Sequence, residues 1–176
     1  MEIKKVIRSQ IEQDYFFIKG NLNKLDSKYF TTKIDEGVKL NSNLNYKTNV
    51  KGQQTSFDFF CNDKNFVKTL YELIDYLDDN GIATHRYRLV DAWGVKEGLG
   101  DFSKKHHHLP RYISGVVYLN DHPQTLYFPE IGEEITPRRG EFVLFSSFLH
   151  HYNKRSNIDK YKYAISFNFE YLTIMQ

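Results

Sequence analysis

Lys162-Tyr163-Ala164-Ile165-Ser166-Phe167-Asn168-Phe169-Glu170-Tyr171 alternates without a break between small or polar residues and large apolar ones. Successive side chains of a strand point to opposite faces, so Tyr163, Ile165, Phe167, Phe169 and Tyr171 form one aromatic face. Lys162, Ala164, Ser166, Asn168 and Glu170 form the other, with a cation at its start. That polar face suits the lining of a cavity that holds an anion; a solvent-facing strand with Lys162 in water is the second reading of the same pattern. Working back from it, short apolar runs at 85–93, 113–119, 125–128 and 142–146 are separated by Gly94, Gly98-Leu99-Gly100, Asp121-His122-Pro123, Gly132 and Pro137 to Gly140. Many short strands at this spacing predict a β-sandwich or barrel. Ahead of them Asn62-Asp63 offers an N-cap, Phe66, Leu70, Leu73, Ile74 and Leu77 follow at helical spacing, and Asn80-Gly81 closes the segment. This predicts one amphipathic helix over 63–79. A helix ahead of such strands points to a jelly roll with helix packed on one sheet. The first 60 residues read as loops joining short strands.

The composition agrees. Aromatic residues make up 16% of the 176-residue chain, mostly Phe and Tyr, which favours strands over a helix bundle. Charged residues at 26% exclude wholesale disorder, and a net charge of +2 is too weak a bias for a dedicated nucleic-acid binder. The lone cysteine, Cys61, cannot form an internal disulfide, so the chain fits a reducing compartment, and it is expected to be cytoplasmic. Nothing resembles a leader after Met1-Glu2-Ile3-Lys4-Lys5, and no apolar run approaches the roughly 18 residues of a membrane span. With no linker or repeat, residues 1–176 are read as one domain, with its motifs in 85–171 and supporting strands, loops and helix in 1–80.

Six of the seven histidines fall between positions 106 and 151, including His106-His107-His108 and His150-His151. His106 and His108 are two apart, so in an extended segment their rings share a side and His107 points away. Two neutral imidazoles so placed can hold one divalent ion, and His150 or His151 can supply a third nitrogen from a distant strand. A solvated loop is the plainer reading of a histidine run. The two-residue spacing raises the metal reading.

The segment His106-His107-His108-Leu109-Pro110, followed by Ser114-Gly115-Val116-Val117-Tyr118-Leu119-Asn120-Asp121, resembles the metal-binding half of Fe(II)/2-oxoglutarate-dependent oxygenases, in their prolyl hydroxylase-like branch. The similarity continues through Thr125 to Pro129, Gly140 to Ser147 and Lys162 to Asn168, and covers about residues 85–171. It implies a mainly β fold with α elements, the double-stranded β-helix (jelly roll). It implies that His106 and His108 take the family's His-x-carboxylate positions and His151 the distal one. Tyr118 then matches a tyrosine that contacts the far carboxylate of 2-oxoglutarate, Lys162 stands where arginine is usual, and Ser166 lies on the same face. The cofactors implied are Fe(II), 2-oxoglutarate as co-substrate and molecular oxygen. The activity implied is hydroxylation of an unactivated C–H bond on a peptide or protein side chain or a small molecule. Two departures stand out: His108 replaces a carboxylate, leaving three neutral ligands, and Lys162 keeps the charge of arginine without its bidentate fork.

Two other functions compete. A cupin-type metal enzyme shares the fold, but the glutamate it needs is replaced by Tyr112 or Ile113, and Gly140 is not followed by its histidine. A non-catalytic jelly-roll module would tolerate both departures. Elsewhere Arg86-Tyr87-Arg88 and Arg138-Arg139 read as solvated, Cys61 as inert, and Trp93 as a core or rim aromatic ending its strand.

Overall fold

The structure, a computed structural model, describes residues 15–40, 48–81 and 87–172. Among these, eleven strands form two antiparallel sheets, with two helices laid on one of them. In chain order the elements are β1 (Phe17–Asn21), α1 (Ser27–Leu40), β2 (Val50–Lys51), β3 (Gln53–Gln54), α2 (Lys64–Asp79), β4 (Tyr87–Glu97), β5 (Phe102–His106) and β6 (Ile113–Tyr118). β7 (Leu126–Phe128), β8 (Glu133–Ile135), β9 (Glu141–Ser146), β10 (His151–Asn153) and β11 (Lys162–Tyr171) complete the set. The larger sheet runs β1-β9-β6-β11-β4-β3 and the smaller one β2-β5-β10-β7-β8. This is the double-stranded β-helix.

The alternation in β11 does what its pattern requires. Ile165, Phe167 and Phe169 turn outward onto the helices, where they meet Phe30 and Ile34 of α1 and Phe66, Leu70, Leu73 and Leu77 of α2. Each large side chain so buried contributes about 1.5–3 kcal/mol. The opposite face of β11 looks between the sheets, towards Val116, Tyr118 and Phe145 from the larger sheet and Phe128 and Ile135 from the smaller. α2 begins where Asp63 accepts hydrogen bonds from the amides of Asn65 and Phe66, and closes at Gly81, whose φ of 77° suits glycine.

Three expectations are corrected. The stretch read as loops contains α1, whose buried Phe30, Ile34 and Gly37 recur at helical spacing. Gly94 does not end a strand: β4 runs on to Glu97, and a Cβ at Gly94 would come within 2.3 Å of Ile34 Cγ1. The glycine is there so that α1 can press against the sheet. Trp93 therefore lies inside β4, with its ring against His108 and Phe57. Short β5, β8 and β10 lay within segments read as breaks. The start of the 85–93 run, Arg86 and the first five residues fall outside the described residues. Arg88 pairs with Glu170, and Arg139 donates to the Ser27 hydroxyl. Among the described residues no helix is long and apolar enough to cross a membrane.

Candidate metal centre

The fold brings His106, His108 and His151 together. His106 ends β5 and His151 opens β10, and the two are direct cross-strand partners. His108 follows β5 and is fastened by its amide, which donates to the carbonyl of Ser147 at 2.8 Å. One ligating atom from each of the three rings lies within 4.8 Å of the others. The Nε2 atoms of His106 and His108 are 3.3 Å apart, about the span of two nitrogens held roughly 2.1 Å from a common ion. Among the described residues no carboxylate joins the cluster. His107 and His150 turn outward, ring against ring, and His150 Nδ1 contacts the Glu130 carboxylate at 3.0 Å.

The protons on the three rings follow from what each Nδ1 touches. His106 Nδ1 meets the carbonyl of Lys104 at 2.7 Å and His151 Nδ1 that of Leu149 at 3.1 Å. A carbonyl only accepts, so both Nδ1 atoms carry hydrogen and both Nε2 atoms keep a lone pair. For His108 the argument passes through Asn168, whose Nδ2 donates to the Asp91 carboxylate at 3.1 Å. The Asn168 oxygen must then face His108 Nδ1, at 2.8 Å, and it also accepts from the Ser114 hydroxyl. Asp91 is itself clamped by the fork of Arg111, at 2.8 and 3.2 Å. Two Nε2 lone pairs therefore face each other at 3.3 Å, an arrangement a cation between them would relieve. Asp91 and Arg111 were not found in the sequence, and Asn168 only as part of a polar strand face, because the three meet only once β4, β11 and the segment leading into β6 lie side by side.

An Asn168→Leu exchange removes the acceptor that orients His108. Metal affinity should fall by about 10–100-fold, read by competition with a chromogenic chelator. Unchanged affinity would show that the Ser114 hydroxyl, 3.0 Å from the same nitrogen, and the backbone suffice to hold His108.

Burial disfavours the charged form of each imidazole. His106 is lowered from its ordinary pKa, His108 is lowered to about 4, and His151 lies well below the usual range. All three are thus neutral and ready to ligate at neutral pH. In an unfolded chain the same histidines titrate near 6.5, so between about 6.5 and 4 the unfolded state binds protons that the folded state refuses. Stability of the metal-free protein is therefore full above about pH 6.5 and falls as pH drops through that window, by about 3 kcal/mol from His108 alone. Urea midpoints measured in chelator from pH 7.5 to 4.5 should decline steadily. A flat profile would mean that the rings are not buried as described.

Inward from the triad lies a cavity of about 80 Å³, with Tyr118, Lys162 and Ser166 in its wall. Lys162 is only 4% exposed, so the solvent-facing reading of β11 fails. The Tyr118 hydroxyl is fully buried and has no hydrogen-bond partner among the described residues; burial raises its pKa, and it stays a neutral phenol. The sequence did not reveal Glu97. It stands opposite Lys162 in the β4–β11 ladder, and the two form a buried ion pair at 2.5 Å. The alternation Trp93, Val95, Glu97 would have placed it on the inner face, had the strand not been ended at Gly94. Outward from His106 and His108 a second cleft of about 540 Å³ opens to the surface past Phe57, Trp93, Leu109 and Arg111.

No protein-family model and no curated protein sequence matches the chain. Solved structures do. A viral collagen prolyl hydroxylase from Paramecium bursaria Chlorella virus-1, in complex with 2-oxoglutarate, superposes with a TM-score of 0.66 at 14% identity, covering 88% of this chain and 94% of its own. A prolyl-4-hydroxylase from Pseudomonas putida gives 0.61 at 17% identity, covering 88% and 92%. HygX from Streptomyces hygroscopicus, with nickel, 2-oxoglutarate and hygromycin B bound, gives 0.58 at 12% identity, covering 89% and 82%. At these identities the similarity establishes the shared fold.

Proposed function

We propose that this protein is a non-haem iron dioxygenase that couples oxidative decarboxylation of a 2-oxo acid to hydroxylation of a C–H bond. 2-Oxoglutarate is the co-substrate that the sequence resemblance implies. One observation carries the reading: three neutral imidazoles, each fixed through Nδ1, converge their Nε2 atoms beside a cavity lined by a buried cation and a phenol with no hydrogen-bond partner among the described residues. Structures sharing the fold hold 2-oxoglutarate, one of them beside nickel, which supports the assignment.

His106, His108 and His151 would hold Fe(II) through their three neutral nitrogens. Bound there, iron and a 2-oxo acid supply the oxidising power to place one atom of O2 on a carbon while the acid loses CO2. The chain does the rest. Lys162 and the Tyr118 hydroxyl bind the tail of the acid, and apolar Val116, Phe145 and Ala164 keep bulk water from its head. The outer cleft admits the carbon to be oxidised, and Trp93, in the walls of both spaces, positions it against the metal. HygX holds hygromycin B, and a prolyl hydroxylase from Trichoplax adhaerens holds a peptide fragment. By that analogy the substrate here is a peptide side chain or a small molecule.

Carboxyl-labelled 2-oxoglutarate tests this directly. Purified protein given Fe(II) and O2 should release labelled CO2 slowly even without a prime substrate, and His151→Ala should not. Release that is equal in both, or absent from both at saturating co-substrate, would favour a module that has kept the fold without the reaction.

A further inference from the structure

Glu97 gives the inner cavity a second buried charge, and with it a preference that Lys162 alone would not have. Glu97 is 2% exposed; its carboxylate lies 2.5 Å from Lys162 Nζ and accepts from Asn153 Nδ2 at 3.3 and 3.4 Å. Asn153 is itself fixed, its side-chain oxygen accepting from the Ser103 amide and hydroxyl. The far end of the cavity therefore presents an ammonium already neutralised, a carboxylate, and the Tyr118 hydroxyl. Its formal charge is zero.

An anionic tail entering this space is attracted by Lys162 and repelled by Glu97 at nearly the same range, while it still loses its hydration. A neutral tail with both a donor and an acceptor meets no such conflict. Lys162 and Tyr118 can donate to its oxygen, and Glu97 can accept from its N–H. A carboxamide has both groups; a carboxylate has acceptors only. Resting on the 2-oxo-acid reading of the cavity, we infer that Glu97 is a specificity residue. It sets the cavity for a 2-oxo acid with a neutral donor–acceptor tail, such as a carboxamide, and weakens the hold on a dicarboxylate. This is selection by an unfavourable charge against one ligand.

N-Oxalylglycine and its primary amide test the inference. They share an oxalyl head able to chelate a metal and differ only in a carboxylate or carboxamide tail. Calorimetric titration of Mn(II)-loaded protein under both ligands reads binding without turnover. The wild-type protein should bind the amide at least as tightly as the acid. Glu97→Gln should shift the acid-to-amide affinity ratio towards the acid by roughly tenfold or more. A wild-type preference for the acid of about tenfold or more would overturn the inference, and needs no variant to fold. So would a Glu97→Gln protein with unchanged metal content and an unchanged ratio. In either case the 2-oxo-acid reading survives. If neither ligand binds to either protein, that reading falls and this inference with it.

Discussion

His151→Ala should strip the protein of its divalent ion, weakening retention by about 100-fold or more, beyond what loss of a supporting partner does. His151 is 6% exposed, its ring is packed against Phe128 and Phe145, and neither of those side chains can ligate in its place. Two imidazoles would remain, His106 and His108, too few to keep iron against a chelator. His150→Ala is the matched control. It differs by one position, faces outward against His107 and Glu130, and should leave retention within about threefold, a fraction of the effect of a lost partner. Equilibrium dialysis followed by metal analysis reads both variants. Loss of the ion from His150→Ala with retention in His151→Ala would move the distal ligand by one residue and invalidate the tautomer argument built on Leu149.

Lys162→Ala is the second large effect, and it falls on folding as well as on ligand binding. Removing the ammonium leaves Glu97 buried without a counter-charge, a change that destabilises by about 3–5 kcal/mol. Adding Glu97→Gln to that variant should restore a substantial part of the loss, because an uncharged amide needs hydrogen bonds and no counter-ion. The four proteins of this cycle, unfolded in urea, give the coupling directly. A Lys162→Ala protein within about 1 kcal/mol of the parent, with no recovery on adding Glu97→Gln, would mean that the pair is open to water. Metal retention is the internal control and should be the same in all four, since neither residue is among the three histidines.

Local patterns carried most of what the sequence showed. The alternation of β11, the apolar spacing and Asp63 cap of α2, and the short runs that became β6, β7 and β9 each depend on neighbours within a few residues. The His106–His108 spacing is local too; the two rings and His151 do meet. What escaped notice depends on contacts between distant segments. Gly94 looks like a strand breaker until Ile34 of α1 is seen resting on it, and ending the strand there hid Glu97 three residues further on. Phe30, Ile34 and Gly37 were at helical spacing, but the polar loop-like residues after them drew α1 into a longer irregular stretch. Asn168 was legible only as part of the polar face of β11, and strand pairing is what joins it to Asp91 and Arg111 in the chain of hydrogen bonds that fixes the His108 proton.

An anaerobic titration tests the central claim most directly. Fe(II) is added first and 2-oxoglutarate second, and the visible spectrum is followed for the weak charge-transfer band of a 2-oxo acid chelated to iron. The band should appear only when both are present, saturate at one iron per chain, and be absent from His151→Ala. An iron-loaded protein that shows no band at saturating 2-oxoglutarate, and none with the tail-neutral analogues that Glu97 favours, would contradict the assignment.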